Sequence, residues 1–187
     1  MSQKKDAILQ TSLELMAKQG IDNTSTLEIA KATGVAKATL FHHFKTKTDL
    51  VDAVYLHVKE GFFTEDITDN SAKEQLLNIW TNSLEVDETK SLSLNFLHQY
   101  YSSPCVENTR RQQLKRQSLE PIYELIKRGQ KQGIIQPTDP EYLLDIVYNL
   151  YMSTALYLDK PEVDSKAVVK DSLKVYERIL FMPSTEG

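Results

Sequence analysis

The side chains best suited to chemistry are concentrated in one short stretch, residues 24–47, which reads TSTLEIAKATGVAKATLFHHFKTK. Hydroxyl and lysine side chains recur there among small residues, and such groups donate hydrogen bonds to phosphate oxygens and base edges. The sequence contains no glycine-rich phosphate loop, nucleophile elbow or HExxH motif, which are signatures of several enzyme classes. The residue types therefore favour nucleic-acid binding over catalysis.

The spacing of small and apolar residues within this stretch is that of a helix-turn-helix. Ala30 is small enough for two helices to approach closely, and Gly34, four residues later, supplies the backbone freedom of a tight turn. Val35 and Leu40 are then placed to bury in the joint with Ile29. On this spacing alone, DNA binding and an ordinary helical hairpin that ends at Gly34 are equally good interpretations.

The second helix of such a motif enters the major groove, where its N-terminal residues meet base edges. In this chain those residues are Ala36, Lys37, Ala38 and Thr39, and none of them is bulky enough to obstruct the groove. Residues 1–50 carry seven lysines and five acids, whereas the whole chain has a net charge of −4. A small basic excess therefore coincides with the candidate motif.

The elements that must position this stretch are predicted to be helices throughout. Glycine and proline number only six each, and the apolar residues recur at helical spacing. An all-α fold is expected, with a kink or break at Pro121, a helix start at Asp139-Pro140 and a capping box formed by Ser25 and Glu28. The predicted helices cover approximately residues 3–18, 25–33, 36–43, 47–64, 71–85, 92–102, 106–132, 140–158 and 164–181.

The same stretch resembles the N-terminal domain of the tetracycline-repressor (TetR) family of transcriptional regulators. The matching positions are residues 24–30, Gly34-Val35, Lys37, residues 39–47 and Leu50. The resemblance implies a three-helix, helix-turn-helix DNA-binding domain at residues 1–47. It also implies a C-terminal helical bundle for ligand binding and dimerisation at residues 48–187.

The resemblance further implies a DNA-binding surface that comprises Ser25, Thr26, Lys37, Thr39, Phe41, His42, His43 and Lys47. Thr39 is expected to donate to a phosphate or a base edge. Lys47 is expected to place its charge on the phosphate backbone at the positive end of the fourth helix. Ser25 or Thr26 would anchor the second helix to a phosphate. Lys37 is the candidate for reading guanine, because no arginine lies nearby.

Three positions depart from the family pattern. Phe41 stands where Tyr is usual, Leu27 where many members carry Arg, and Ala38 where Gly is frequent. Backbone binding is then expected to be weaker, or to be supplied by lysines at the N-terminus. His42 and His43 could be interpreted as a metal pair, but adjacent helical residues point about 100° apart. Neither a metal nor a cofactor is predicted.

The remainder of the chain is rich in large aromatic residues on several helices. Aromatic rings with polar edges suit a cavity for a flat, apolar molecule, although each ring alone fits an ordinary core equally well or better. The resemblance implies a pocket between the middle helices. The predicted ligand-binding residues are Phe62, Trp80, Phe96, Tyr100, Tyr123, Tyr148 and Tyr151.

The last two predicted helices carry more apolar surface than one internal face needs, and the resemblance implies that they pair with a second copy. The function predicted is a repressor that binds a palindromic operator as a homodimer and is released by a small, largely apolar effector. The alternatives are a helical ligand-binding or interaction module with weakened DNA contacts, and a transcriptional activator. A cytoplasmic location is expected, because the sequence shows no membrane span or secretion signal and has one cysteine.

Overall fold

Helices account for nearly all of the regular structure, as the sequence predicts. The computed structural model describes residues 3–60, 71–84 and 88–183. Their ten helices are α1 Gln3–Gln19, α2 Thr26–Thr33, α3 Lys37–His43, α4 Lys47–Glu60, α5 Ala72–Ser83, α6 Glu88–Ser102, α7 Asn108–Ser118, α8 Glu120–Lys131, α9 Pro140–Leu158 and α10 Ser165–Leu180. The all-α class is confirmed, and the predicted bounds agree to within a few residues over the described ranges.

Local signals in the sequence explain where several helices begin and end. The predicted helix over 106–132 is divided at Leu119, and Pro121 lies in the first turn of α8. Asp139 caps α9 by accepting from the amide of Tyr142 at 2.9 Å, with Pro140 at the first helical position. Both predictions are confirmed.

The capping box predicted at the start of α2 forms only in part. Ser25 Oγ accepts from the amide of Glu28 at 3.1 Å, but the Glu28 carboxylate accepts from Gln19 Nε2 at 2.9 Å. A complete box forms instead at α5, where Ser71 and Glu74 bond reciprocally. A nearby amide donor therefore diverted the Glu28 side chain.

The helices form two compact units. The first unit contains α1–α4, α6 and α7, and the second unit contains α5 and α8–α10. In the first unit α1 packs against α2, α4 and α6, while α4 also packs against α7. Its core includes Ile8, Met16, Ile29, Leu40 and Leu50, all fully buried. This grouping by packing differs from the functional boundary predicted at residue 47, which stays a prediction.

In the second unit α8 packs against α5 and α9, and α10 packs against α5 and α9. A short backbone bridge joins the segment after α8 to the end of α10, because Gln136 N donates to Leu180 O at 3.0 Å and Met182 N to Ile134 O at 2.9 Å. Within the described ranges, no helix is long and apolar enough to cross a membrane.

Candidate nucleic-acid interface

The turn between α2 and α3 has the geometry that the sequence predicts. Gly34 adopts φ +73°, a left-handed conformation that glycine tolerates best. Its amide donates to Lys31 O at 3.2 Å, and the amide of Val35 donates to Ala30 O at 3.0 Å. These are the two bonds of a Schellman motif. They end α2 and direct the chain into α3.

The joint beneath this turn is closed by buried apolar side chains. Ile29, Ala30 and Leu40 are almost completely buried, whereas Val35 is half-buried rather than fully buried as predicted. Two short helices with this joint and this turn form a helix-turn-helix. The motif therefore presents α3 as a rigid element.

The N-terminal end of α3 is open to solvent. Lys37 and Ala38 are exposed and Thr39 is half-buried. The ammonium group of Lys37 lies 5.7 Å from the ring centroid of Phe41, one turn later on the same helix. Cation–π attraction at this distance is weak but orienting. The half-buried Phe41 ring therefore supports the Lys37 side chain along the exposed face.

The two histidines close α3. His42 is exposed and His43 is half-buried, and their ring centroids lie 5.6 Å apart with an interplanar angle of 70°. Among the described residues, no group of three or more histidine, cysteine, aspartate or glutamate side chains is placed to hold a metal ion.

The start of α2 adds a second set of surface groups. Ser25 is exposed, and its hydroxyl oxygen is used for capping while its hydrogen can still be donated. Thr26 is half-buried at the first helical position. Leu27, where the family resemblance leads one to expect a cation, is 63% exposed. The structure therefore places an apolar side chain in solvent at the position where the family pattern has a cation.

Lys47 begins α4 and is held in place by the chain itself. Its ammonium group donates to the carbonyl of Asp22 at 3.1 Å. Thr46 and Asp49 cap the helix reciprocally, each amide donating to the other side chain at 3.0 Å. Sequence reasoning missed both features, although Thr46-Lys47-Thr48-Asp49 has the spacing of a capping box. An ammonium has three donors, so two remain for phosphate.

Behind this surface lies a polar junction that sequence reasoning also missed. It consists of Asp49 and Asp52 on α4, Tyr100 on α6 and Arg110 on α7. Arg110 donates through Nε to Asp52 and through Nη2 to Asp49, the latter at 3.0 Å. Tyr100 donates its hydroxyl to Asp52 Oδ1 at 2.9 Å. Asp52 is buried, so its charge is compensated from two helices at once.

The pKa values in the polar junction follow from these contacts. Burial and the neighbouring Asp52 charge raise the pKa of Tyr100 far above its usual value. The hydrogen bond from Thr46 lowers the pKa of Asp49, and Arg110 adds to that effect. The tyrosine is therefore a hydrogen-bond donor and the carboxylate is charged at neutral pH.

The predicted ligand-binding residues fall in different units. Phe96 and Tyr100 are buried in the first unit, where Tyr100 stacks on Tyr55 at 4.4 Å. Tyr123 is half-buried on α8, with Lys127 Nζ 5.1 Å from its ring centroid. Phe62 lies outside the described residues.

The other three predicted residues lie together in the second unit. Trp80 meets Tyr151 edge-on at 6.4 Å, and Tyr151 lies 6.5 Å from Tyr148. Trp80 also stacks on Tyr176 at 4.3 Å and donates to Ser172 Oγ at 3.3 Å. We call Trp80, Tyr148, Tyr151 and Tyr176 the aromatic cluster. Burial raises the pKa of Tyr151 and Tyr176, so both hydroxyls are protonated.

A helix-turn-helix whose second helix exposes Lys37 at its N-terminal end has the geometry of a DNA-binding domain. Comparison with known families gives the same result. Residues 8–54 match the family described as bacterial regulatory proteins, tetR family, and residues 72–171 match the tetracyclin repressor-like, C-terminal domain. The chain belongs to the TetR family of transcriptional regulators.

Individual relatives agree along most of the chain. The HTH-type transcriptional regulator LuxR of Vibrio harveyi is 25% identical over 94% of this chain and 91% of its own length. RutR of Escherichia coli (strain K12) is 26% identical over 88% of this chain and 79% of its own length. These relatives are regulators, which is a non-enzymatic role.

Solved structures share the fold. A tetR-family transcription regulator from Shewanella sp. PV-4 superimposes with a TM-score of 0.84 at 31% identity. The superposition covers 97% of this chain and 100% of the relative. A transcriptional regulator from Saccharomonospora viridis, solved in complex with choline, has a TM-score of 0.71 at 20% identity, covering 98% and 100%. The second similarity concerns the fold alone.

Proposed function

We propose that this regulator is a ligand-responsive repressor that binds a palindromic operator as a homodimer. In this proposal residues 1–47 read DNA, and residues 48–187 hold the effector and form the dimer. The exposed N-terminal end of α3 supports it most directly. Lys37 and Thr39 lie there above a joint of buried side chains, without a bulky neighbour at Ala38.

The lysines are proposed to have separate roles. Lys37 projects from the first position of α3, where side chains of a reading helix reach base edges, and its charge suits the acceptors of guanine. Lys47 begins α4 and is oriented by the Asp22 carbonyl, which suits a fixed phosphate contact. Thr39, Ser25 and Thr26 would add hydroxyl contacts to the backbone.

A dimer is supported by the uncovered apolar surface of α9 and α10. Along α9 one stripe runs at spacings of four and three residues and is exposed or half-buried throughout. Its members are Tyr142, Ile146, Leu150, Ser153 and Tyr157. On α10, Val175 is 45% exposed, and Val168 and Ile179 are half-buried. Large exposed apolar patches are typical of protein interfaces, and a second copy that covers these side chains would remove them from water.

The effector is proposed to be small and largely apolar. The aromatic cluster in the second unit supports this, because ring faces with polar edges suit a flat, largely apolar ligand. The structural relative from Saccharomonospora viridis was solved in complex with choline, which supports a small-molecule ligand for this chain. In our proposal the ligand binds better to a state that reads DNA poorly, and operator affinity then falls by linkage.

Within the first unit, the polar junction is the proposed route to the DNA surface. α4 carries Lys47 at its start and Asp52 little more than one turn later, and Asp52 is bonded to Tyr100 of α6 and Arg110 of α7. A displacement of α6 or α7 would therefore pull on the helix that begins at Lys47. Asp49 is bonded both to Arg110 and to the cap of that helix.

The deciding experiment is binding to the DNA upstream of the protein's own gene, by gel shift and footprinting. We expect two protected half-sites centred about 34–36 Å apart, one helical turn. Lys47→Ala should lower the slope of log affinity against log salt by about 0.9 per lost phosphate contact, hence about 2 per dimer. Lys37→Ala should instead change base preference at one position per half-site, at a cost of roughly 1–3 kcal/mol.

Lys174→Ala is the matched control, because Lys174 is an exposed lysine of the second unit that pairs with Asp171. It should leave both the salt slope and the base preference unchanged. A protein that stays monomeric at micromolar concentration and protects no site would contradict the repressor proposal.

A second candidate is supported by the exposed Leu27 and by Phe41 without a hydroxyl. Both replace groups that would contact phosphate, which favours a ligand-binding module with weakened DNA contacts. Leu27→Arg separates the two candidates. If the chain is a repressor, the variant should bind its operator more tightly and with a steeper salt slope. If the chain no longer binds DNA specifically, the wild type should protect no operator site, and Leu27→Arg should not create one.

A further inference from the structure

Arg128, a half-buried residue of the second unit, has two side-chain nitrogens without a hydrogen-bond acceptor among the described residues. Arg128 lies in the last turn of α8, next to the buried residues Leu125 and Gly129 on that helix. Its Nε and Nη2 atoms are both buried, and no atom among the described residues accepts a hydrogen bond from either. Most buried polar groups in proteins have a partner, and a buried charged donor without one is especially costly. A group from outside the described residues would satisfy this edge of Arg128.

The ordinary partner of this arginine is engaged elsewhere. Glu124 precedes Arg128 by four residues, a spacing at which helical side chains pair. Its carboxylate instead accepts from Lys127 at 3.0 Å, and both groups remain substantially exposed, at 56% and 39%. Glu124 therefore pairs with Lys127 at the surface, and the buried Nε and Nη2 atoms of Arg128 are left without an acceptor among the described residues.

The two unsatisfied atoms also define what they could bind. Nε and Nη2 form one edge of the planar guanidinium, and such an edge takes two oxygen atoms side by side. The first unit shows the same edge in use, because Arg110 donates through Nε and Nη2 to carboxylates. The acceptor that matches Arg128 is therefore a carboxylate or another oxyanion.

We propose that Arg128 binds an oxyanion group of the effector, a carboxylate or a phosphate. The inference rests on the proposed ligand-responsive function and narrows its effector to an apolar body with one anionic group. The apolar part would lie against buried side chains such as Leu125, and the anion would accept from Nε and Nη2. Neutral oxygens can accept the same bonds, but charge-assisted bonds to an anion are roughly twice as strong, so an anionic group should be preferred.

The test uses the full-length protein and four probes: sodium benzoate, phenyl phosphate, benzyl alcohol and choline. Binding is measured by calorimetry and by the fluorescence of Trp80, the sole tryptophan. The variants are Arg128→Gln and Arg128→Lys. Lys131→Gln is the matched control, because it removes an exposed charge three residues away on the same helix.

We expect benzoate or phenyl phosphate to bind the wild type and Lys131→Gln equally. Binding to Arg128→Gln should be at least ~10-fold weaker, as expected for loss of a charge-assisted hydrogen bond. Arg128→Lys should be intermediate, since a point charge cannot reproduce the fork. Tighter binding of benzoate would indicate a carboxylate effector, and tighter binding of phenyl phosphate a phosphate effector. Equal binding by Arg128→Gln, or wild-type binding of only benzyl alcohol or choline, would overturn the proposal, as would binding of none of the four.

A measurement on the wild type avoids dependence on the folding of a variant. The Arg128 Nε–H resonance in nitrogen-15 NMR should shift downfield as the anion saturates, and an unchanged resonance would overturn the proposal. Operator binding is measured on the same samples. Operator binding without anion binding would overturn this inference alone, whereas anion binding at Arg128 without any operator would support this site and contradict the repressor function.

Discussion

The two units of this regulator bury polar groups in different ways. In the first unit, the buried Asp52 is bonded to Tyr100 and Arg110, so the charges fix the positions of three helices. In the second unit the buried centre is a set of stacked and edge-on rings, and the guanidinium of Arg128 has a buried, unsatisfied edge. Stacked rings and an unsatisfied guanidinium nitrogen also occur in the first unit, at Tyr55–Tyr100 and at Arg111 Nε. The difference between the units is therefore the charged network, in which Tyr100 donates to Asp52 and so ties the rings to one geometry.

The strongest test of this comparison is the buried lysine of the first unit. Lys59 on α4 is 3% exposed, and its ammonium lies 5.7 Å from the Tyr55 ring centroid. Burial, reinforced by the charge of Lys115, lowers its pKa to about 7. Because the unfolded value is about 10.4, the unfolded chain binds one more proton between these pH values. Stability should therefore rise with pH over this window, by about 1.4 kcal/mol per pH unit.

Lys59→Met should abolish that rise, as measured by urea unfolding at several pH values from 6 to 9.5. Lys174→Met is the control, because Lys174 is 57% exposed in the second unit. It should retain the wild-type pH dependence. A Lys59→Met variant whose pH dependence matches the wild type would show that Lys59 titrates normally.

The next largest effect is expected at the polar junction. Asp52→Asn removes the acceptor charge for Tyr100 and Arg110, and hydrogen bonds to charged groups contribute roughly 1.5–3 kcal/mol each. Because Arg110 is 45% exposed, its share is reduced by solvent, and we expect a total loss of about 2–3 kcal/mol. Operator affinity should fall with an unchanged salt slope, since no phosphate contact is lost.

Asp171→Asn provides the comparison from the second unit. Asp171 is 71% exposed and pairs with Lys174 three residues away, and exposed pairs contribute little. No measurable change in unfolding free energy is expected. If the two aspartate variants were equally stable, the buried polar junction would have no special role in the first unit.

The sequence was sufficient to predict most of the fold because its helix ends are encoded locally. Gly34, Pro121 and Pro140 act through backbone geometry, and Asp139 caps α9 with its side chain; neighbours seldom override such local signals. The capping box predicted at Ser25 lacks its second bond, from the Ser25 amide to the Glu28 carboxylate. Gln19, nine residues from Glu28, donates to that carboxylate instead. Such competition depends on how α1 and α2 pack, and no local pattern reveals it.

The candidate site was predictable to a different extent in each unit. The DNA-facing residues lie within one contiguous stretch, so a motif could identify them. The polar junction joins positions 48 to 61 residues apart, and no sequence signal links Asp52 to Arg110. The aromatic residues were grouped by type, and the structure divides them between units. Arg128 carried no signal, because only burial distinguishes it from an ordinary surface arginine.

A smaller loss of stability is expected where α8 packs closely against Ile135 in the second unit. Gly129 lies inside α8, and a Cβ added there would be 2.5 Å from Ile135 Cδ1. Overpacking costs about 1–3 kcal/mol, more than the ~1 kcal/mol that alanine gains over glycine in a helix. Gly129→Ala should therefore lose up to about 2 kcal/mol in urea unfolding. Combined with Ile135→Ala, it should cost less than the two single changes added together. Strict additivity would show that the close approach is not the cause.

The smallest effect is expected at Gly34 in the first unit, where the constraint is conformational rather than steric. A Cβ added there would meet nothing within 4 Å, but φ is +73°. Gly34→Ala should cost about 1 kcal/mol, because a non-glycine residue is strained in this region. Gly34→Asn should cost less, since asparagine tolerates the left-handed conformation. If strain is the cause, operator affinity should follow the same order, because a turn that relaxes toward negative φ re-aims α3. Equal losses of operator affinity for alanine and asparagine would instead indicate that any side chain at position 34 obstructs the approach of DNA. The claim that Gly34 is needed for its backbone conformation would then fail.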